Sequence, residues 1–564
     1  MNRNLTSLFW PWIAAAALAC GGSPQAASTP SGEPDTAVQA PATMEESLRR
    51  LAASDDPATR RQALARLAVH YREEGRLEEA ASAFRSAAEA NPSIRPWLAL
   101  ALAEVELELG RAAEAVRTLR SIASEHARSS AGTVAAIRLP GALAAAGDGD
   151  AAAAALAAIG SVSIDELIDE ELAALADSLE RHDMAADAAR LRMRILAEYP
   201  RSRWTEKHYG TLAALPAAES PLTSLSFQEA VRVADRLGRV NRYDQTLDLL
   251  ERIRKRFPDR IGSADYRWAR ASALFNSRNY TRMTDEPSRP GEPYYLAIEL
   301  LRAHAYWRSN RSEAFLESAI RIIRDHPGTR TAGQAKILLS KYYQTDEREL
   351  DRSARLLEEG IAIIGPGDDG RNLWSLAWTW ILAEQDQKAL ETFERYLQRY
   401  PDADYTSNAL FWSAKIHERG GDLERRDELL RRLISFYPYT YYSYRAREIL
   451  GDTSLPPDEV ESGYSFPAAV LEPTDDPRLA IARELRAVGL ERDAARELKR
   501  LAGDAADPIL AWKLADFYAD AGEPLRAISI LGRTFRDLIR HGGTGIPRRF
   551  WEILYPRTHW ETIR

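Results

Sequence analysis

Apolar residues recur along most of this chain at the three- and four-residue spacing that places them on one face of a helix. Two clear stripes of this kind consist of Leu390, Phe393, Leu397 and Tyr400, and of Leu429, Leu433 and Tyr437. No segment alternates convincingly between apolar and polar residues with the two-residue period of a half-buried strand. The pattern therefore predicts an all-α fold.

The helices are expected to occur in pairs, and the clearest pair spans residues 61–93. Gly75 and Arg76 provide the turn between its two helices, and Pro92 ends the second helix. A partial copy follows. The residues that carry the pattern are Leu64, Leu67, Ala68, Tyr71, Gly75, Ala80, Phe84, Ala87 and Pro92, and in the copy Leu102, Ala103, Gly110, Arg111, Glu114 and Ala115. Their spacing resembles the tetratricopeptide repeat, so we expect a superhelix of stacked helix pairs, an α-solenoid.

The later repeats share a stop signal, in which an aromatic residue or histidine followed by proline ends a helix. This signal occurs at Tyr199-Pro200, Phe257-Pro258, His326-Pro327, Tyr400-Pro401 and Tyr437-Pro438. A dense aromatic cluster also lies in this half, at Trp374, Trp378, Trp380, Tyr405, Phe411 and Trp412. Because Trp374 and Trp378 are one helical turn apart, we interpret these tryptophans as core-filling side chains. The alternative is that they stack against sugar rings.

The beginning of the chain has the features of a signal peptide, residues 1–19. Arg3 is basic, and the apolar stretch 5–19 is shorter than the about 20 residues that a membrane-spanning helix needs. The sequence Ala17-Leu18-Ala19-Cys20-Gly21 resembles a bacterial lipobox. That resemblance implies lipidation of Cys20 and a location on the periplasmic side of the outer membrane. Residues 20–43 are rich in Gly, Ser, Pro and Ala and predict a flexible tether.

Composition and motif content limit the partners, cofactors and metals that we expect for this protein. A chain of 564 residues is too long for one compact core. Its net charge of −8, with both signs interspersed, does not suggest a nucleic-acid binder. Cys20 is the only cysteine, so no disulfide forms within the chain. The sequence has neither a glycine-rich phosphate loop nor a His-Glu-x-x-His zinc motif, and we expect no cofactor and no metal.

Aromatic and alanine-rich motifs from residue 370 onward carry a second resemblance. They lie at 373–378, 389–393, 409–415, 436–446 and 550–560. The segment 370–564 resembles the superhelical domain of soluble-type murein lytic transglycosylases, and 550–560 looks like the junction to the catalytic domain of that family. The resemblance implies a ring- or horseshoe-shaped superhelix around which peptidoglycan strands pass. It also implies a separate domain in which one glutamate acts as general acid and base.

Together these observations divide the chain into seven parts. They are the signal peptide 1–19, the tether 20–43, tetratricopeptide repeats 44–130, irregular helical repeats 131–369, transglycosylase-like superhelical repeats 370–454, a proline-containing linker 455–476, and C-terminal helical repeats 477–564 that end at the junction to an absent catalytic domain.

Candidate chemistry is sparse in this sequence. In the transglycosylase family the catalytic glutamate is followed by serine, with a Gly-Leu-Met-Gln stretch downstream. Glu46, Glu219, Glu317 and Glu461 precede serines here, but none has that stretch after it. We therefore nominate no catalytic residue. The candidates for glycan contact are Tyr439, Tyr441 and Tyr442, which are expected at the start of a helix after Pro438.

Two hypotheses follow for the function. In the first, the chain is the non-catalytic scaffold of a membrane-anchored lytic transglycosylase whose catalytic domain lies beyond Arg564. In the second, it is a complete tetratricopeptide lipoprotein that binds envelope proteins or peptidoglycan. Both predict a lipid-anchored envelope protein with no nucleic-acid partner.

Overall fold

The computed structural model describes residues 43–165, 168–364, 370–454, 460, 462–468, 477–502 and 507–557. The predicted signal peptide, Cys20, nearly all of the tether, most of the linker and the end of the predicted junction (558–560) lie outside the described residues. Internal contacts divide the chain into residues 1–47 and 48–564. The described residues of the first unit are 43–47, where helix α1 (Met44–Ala52) begins.

The all-α prediction is confirmed for the described residues, which form thirty α-helices and a single isolated β-bridge between Ser465 and Thr544. The first half of the second unit contains α2 (Pro57–Glu73), α3 (Leu77–Ala90), α4 (Arg95–Glu108), α5 (Ala112–Glu125), α6 (Ser130–Ala145), α7 (Gly149–Ala158), α8 (Ile168–Arg181), α9 (Ala185–Glu198), α10 (Thr205–Ala214), α11 (Pro221–Ser224), α12 (Phe227–Arg239), α13 (Tyr243–Arg256), α14 (Ala264–Asn276) and α15 (Tyr280–Thr284).

The remaining helices continue the same antiparallel pairing. They are α16 (Tyr295–Arg308), α17 (Ser312–Asp325), α18 (Arg330–Thr345), α19 (Leu350–Ile364), α20 (Arg371–Leu382), α21 (Asp386–Arg399), α22 (Thr406–Arg419), α23 (Leu423–Phe436), α24 (Tyr441–Leu450), α25 (Pro477–Ala487), α26 (Glu491–Ala502), α27 (Pro508–Asp520), α28 (Pro524–Thr534), α29 (Arg536–His541) and α30 (Arg548–Leu554). We call the first helix of each pair an A helix. The predicted pair at 61–93 is thus α2 and α3.

The turn between the two helices of a pair contains one residue with a left-handed backbone. Gly75 after α2 and Gly110 after α4 have φ angles of 72° and 75°. Later pairs place a side chain at this position, for example Arg278 after α14 with φ of 62° and Glu384 after α20 with φ of 57°. Glycine adopts this conformation without strain, whereas other residues pay about 1–2 kcal/mol. The turn geometry is therefore kept even where its best residue is missing.

The predicted proline stop signals are confirmed. Helices α9, α13, α17, α21 and α23 each end one residue before the aromatic residue or histidine that precedes the proline. At one of these ends the backbone N–H of Tyr400 still donates to the carbonyl of Tyr396, at 2.8 Å. Pro401 has no N–H to continue the helix, and it disfavours helical geometry at Tyr400. The stop is thus a local consequence of the sequence.

The C-terminal helices pack against the N-terminal helices of the same unit. The indole N–H of Trp97 in α4 donates to Glu497 Oε1 of α26 at 3.0 Å, and Gln62 Nε2 of α2 donates to the Ala487 carbonyl at 3.3 Å. One hydrophobic cluster contains buried side chains of α2 to α9 together with those of α25 to α30. These contacts join residues about 400 positions apart in sequence.

The same C-terminal helices also contact the last regular repeats. Arg540 of α29 donates to the Asp402 carbonyl at 2.7 Å, and the His541 ring is hydrogen-bonded to the Phe436 carbonyl at 2.8 Å. The ring of Tyr439 packs against Trp551 of α30, with centroids 4.7 Å apart. Because α25 to α30 contact both α2 to α9 and the repeats at 402–439, the line of helix pairs in residues 48–564 closes on itself. Among the described residues, no helix combines the length and apolarity needed to span a membrane.

Candidate functional site

A continuous row of aromatic rings runs across three successive A helices, α20, α22 and α24. Neighbouring ring centroids in this row are 4.9 to 6.1 Å apart. Its members, in spatial order, are Tyr405, Trp374, Trp378, Trp412, Phe411, Tyr442 and Tyr441, and we call them the aromatic row. Aromatic pairs at such separations attract one another beyond the area that they bury.

The helical period explains how the sequence builds this row. Trp374 and Trp378 are one turn apart on α20, so their rings lie side by side at 6.1 Å with planes inclined by only 22°. Trp374 and Trp412 also pack against the buried core of these repeats, as expected for core-filling residues. Trp378 contacts both of those tryptophans, and all three remain half-buried. The row therefore lies partly in the core, with Phe411 buried and its three tryptophans partly exposed to solvent.

The three tyrosines proposed for glycan contact have different environments. Tyr441 begins α24 and is 69% exposed, and Tyr442 is half-buried against Phe411. These two extend the aromatic row. Tyr439 instead precedes the helix and packs against Trp551, so it belongs to the contact with the C-terminal helices. The structure thus places Tyr441 and Tyr442 together on one A helix and Tyr439 apart from them.

A buried cluster of charges joins the N-terminal helices to α26. Arg138 Nε contacts Glu171 Oε2 at 2.7 Å and Arg138 Nη1 contacts Glu104 Oε1 at 2.6 Å. Arg496 of α26 forms ion pairs with Glu171 and with Asp493, the latter at 2.7 Å. Burial by itself raises the pKa of Glu171, but the two arginines more than offset it, so that pKa lies below its usual value. Glu171 is therefore a carboxylate held in an ion pair, which does not suit it to donate a proton.

A cavity of about 400 Å³ lies beside this cluster, between α4, α6, α8 and Arg492 of α26. The acidic side chains of this cavity form ion pairs with basic residues of the same chain. Asp177 contacts Lys207 Nζ at 2.7 Å and Arg192 Nη2 at 2.8 Å. Burial raises the pKa of Asp177, but the hydrogen bonds and charges of these two partners bring it below its usual value. The arrangement serves as a polar joint between helices.

Three of the four glutamates that precede serines, Glu46, Glu219 and Glu317, are exposed, and Glu461 lies outside the described residues. A general acid that works near neutral pH needs an apolar pocket to keep its carboxyl protonated. Exposed glutamates have no such pocket. In the described part of the chain, His, Cys, Asp and Glu side chains form no group of three or more that could hold a metal ion.

Sequence reasoning missed the charge cluster around Glu171. Its partners Arg138 and Arg496 lie 33 and 325 residues away in the chain. The first distance is close to one repeat length, so an arginine and a glutamate at matching positions of successive A helices offered some signal. The second distance offered none, because only the closure of the array brings α26 to α8.

Comparison with known proteins gives matches to the helical repeats alone. Two models of the tetratricopeptide repeat match, one at residues 71–137 and the other at residues 371–403. Among curated proteins none matches this chain.

Two solved structures are similar to it at low identity. The APC/C hetero-tetramer Cut9-Hcn1 is 14% identical with a TM-score of 0.23, over 90% of this chain and 97% of that chain. The pentatricopeptide repeat protein PPR10 from maize is 12% identical with a TM-score of 0.33, over 90% of this chain and 66% of that chain. At such TM-scores neither likeness bears on function. The chain contains tetratricopeptide repeats within an all-helical array of paired helices.

Proposed function

We propose that this chain is the non-catalytic superhelical scaffold of a membrane-anchored peptidoglycan lytic transglycosylase, and that its aromatic row contacts the glycan strands. The observation that carries the proposal is the row itself, because partly exposed rings on successive A helices form an apolar surface that the C–H face of sugar rings can contact. The exposed ring of Tyr441 ends the row and provides an accessible face.

Closure of the helical array also supports this function. The C-terminal helices contact the array at both Trp97 and Asp402, so the repeats are fixed relative to one another. A fixed array holds the rings of the aromatic row at constant separations along an extended ligand. Such preorganisation increases affinity because less conformational freedom is lost on binding.

We further propose that acyl chains on Cys20 hold the protein at the periplasmic side of the outer membrane. Lipid chains of this kind anchor a protein without spanning the bilayer. Radiolabelled palmitate incorporation into the full chain, compared with a Cys20→Ala variant, tests this part. Equal labelling of both proteins would contradict it.

Sedimentation with insoluble peptidoglycan tests the glycan contact. Tyr441→Ala removes an exposed ring of the aromatic row, and Tyr444→Ala is a matched control because Tyr444 lies on the same helix, is 61% exposed and is not part of the row. We expect Tyr441→Ala to weaken co-sedimentation about tenfold, the scale of one aromatic contact, and Tyr444→Ala to leave it unchanged. Equal behaviour of both variants, or no co-sedimentation of the full chain, would overturn the glycan contact.

The second candidate function is a complete lipoprotein scaffold for envelope proteins. The matches to tetratricopeptide repeats favour it, because such repeats generally mediate protein–protein contacts. The mass of the native protein separates the two candidates. The chain has a mass of 63.0 kDa, and a catalytic domain of typical size adds on the order of 15–20 kDa. A native mass near that of the chain supports the scaffold, and a clearly larger one supports the transglycosylase.

A further inference from the structure

The repeat pattern is interrupted between α14 and α16. Helix α15 has only five residues, whereas α13, the second helix of the preceding pair, has fourteen. Residues 285–294 take the place of the missing turns and include Pro287, Pro290 and Pro293. A ten-residue loop between helices is long for a helical array.

Arginines of α14 and α16 hold this loop in place. Arg267 of α14 is 3% exposed and forms an ion pair with Glu292. Arg270 of the same helix contacts Glu286 Oε1 at 3.0 Å, and Arg302 of α16 donates to the Glu286 carbonyl. The loop is therefore tied to the helices on both of its sides and presents a fixed surface.

Tyr294, the last residue of the loop, has a left-handed backbone with φ of 64° and ψ of 0°. This conformation is unfavourable for a bulky side chain and persists only where the surroundings impose it. Its ring stacks on Trp268 of α14, with centroids 5.3 Å apart and planes inclined by 17°. Tyr294 is still 43% exposed. The strained residue thus holds a ring that is supported from behind by Trp268 and remains partly open to solvent.

A cavity of about 390 Å³ lies at this stacked pair, between α12 and α14, within the about 300–1,000 Å³ range of small-molecule sites. Its polar lining consists of Gln228, Arg232, Asp235, Arg239 and Asp265. Asp235 and Arg239 pair with each other at 2.7 Å. The side chains of Gln228, Arg232 and Asp265 are exposed and make no hydrogen bond or ion pair with any residue that the structure describes.

The lining combines two arginines with two aspartates and has no net charge. It therefore selects neither for anions nor for cations. A sugar ring has one apolar C–H face and a rim of hydroxyl groups. The ring of Tyr294 can stack against the C–H face. The free planar groups of Gln228, Arg232 and Asp265 can bind the hydroxyl groups, since each can form two hydrogen bonds at once.

We propose that this cavity is a binding site for a neutral sugar residue, which stacks on Tyr294 and is hydrogen-bonded by Arg232 and Asp265. The site goes beyond the proposed function because it shares no residue with the aromatic row. It requires neither a catalytic domain nor a membrane anchor.

Isothermal titration calorimetry of the full chain with tri-N-acetylchitotriose tests the proposal. The fully deacetylated trimer has the same ring skeleton with positive charges and serves as the comparison ligand. We expect the neutral trimer to bind about tenfold more tightly, because removing an ammonium group from water costs free energy that a lining without net negative charge does not return. Absence of binding by the neutral trimer would overturn the proposal, as would tighter binding of the cationic one.

Variants locate the bound sugar. Tyr294→Ala and Arg232→Gln should each weaken binding about tenfold, through loss of the stacking face and of a charged hydrogen bond. Tyr294→Phe keeps the face and should retain affinity, and Arg66→Gln, a change of an exposed arginine on α2, should have no effect. Because Arg232 is exposed, its variant folds independently of any strain at Tyr294. Unchanged affinity in Arg232→Gln and Tyr294→Ala would refute the site, whereas the peptidoglycan test at Tyr441 would be unaffected.

Discussion

His208 on α10 offers a sharp test of how burial controls charge in this array. Its side chain is fully buried, and neither ring nitrogen has a hydrogen-bond partner among the described residues. Burial is the main reason why the pKa of His208 falls from its usual 6.5 to about 4. The charges of Arg192 and Lys207 lower this pKa further, whereas the charge of Asp177 raises it. The imidazole is therefore neutral in the folded protein at pH 7. We predict that mild acid destabilises the helices around it and that His208→Leu removes this effect.

The pKa of His208 is lower in the folded chain than in the unfolded chain, so between pH 6.5 and about 4 the unfolded chain binds more protons. The stability that the folded protein gains from keeping His208 neutral is fully present above pH 6.5 and is lost as the pH falls toward 4. One pKa unit corresponds to about 1.4 kcal/mol, which gives a loss of about 3 kcal/mol over the full window. Leucine carries no orphaned polar atoms, so the variant should be at least as stable as the native chain at pH 7.5.

Helix pairs in a repeat array contact mainly their neighbours and open locally, so the assay must be local. Hydrogen exchange with mass spectrometry, corrected for intrinsic exchange rates, reports the opening free energy of α8 to α10. Between pH 7.5 and 4.5 we expect a fall of about 2 to 3 kcal/mol in the native chain and of less than about 1 kcal/mol in His208→Leu.

Two references make this result interpretable. His182→Leu replaces a half-buried histidine just after α8 and should leave the acid response of the native chain in place. Peptides from α16 should respond to acid equally in all variants, because burial also lowers the pKa of His304 to about 4. If α8 to α10 lose as much protection in His208→Leu as in the native chain, burial of this imidazole does not govern the acid response.

Two further predictions concern the closure and the turns. Glu171→Gln leaves Arg138 and Arg496 without their shared carboxylate, and hydrogen exchange should show that the opening free energy of α6 to α8 falls by about 3 kcal/mol. Glu180→Gln, which removes a half-exposed partner of Arg192, should lower that free energy by less than about 1 kcal/mol, and similar losses in both variants would contradict the argument. Arg278→Gly removes the strain of a left-handed backbone after α14 and should stabilise the surrounding helices by about 0.5–1 kcal/mol in the same assay. A destabilised variant would show that contacts of the Arg278 side chain contribute more to stability than its backbone strain costs.

The sequence by itself determined the local features of this protein. The spacing around Leu64, Ala68 and Phe84 predicted α2 and α3, and the proline after Tyr400 predicted the end of α21. Both signals act within about one helical turn, because they concern backbone hydrogen bonds and the face of a single helix. The rings of Trp374 and Trp378 were likewise predicted to share a stripe, and they are adjacent in the structure.

Tertiary structure alone decided which distant parts of the chain meet. The hydrogen bond from Trp97 to Glu497 spans 400 residues, and it depends on the small rotation between successive pairs, summed over the whole array. Tyr439 looked equivalent to Tyr441 in sequence, but the closure placed Trp551 against it. The stacking of Tyr294 on Trp268 likewise required a buttressed loop whose backbone no local preference favours. Periodicity identifies which face of a helix is apolar, whereas the accumulated geometry of the array selects what covers that face.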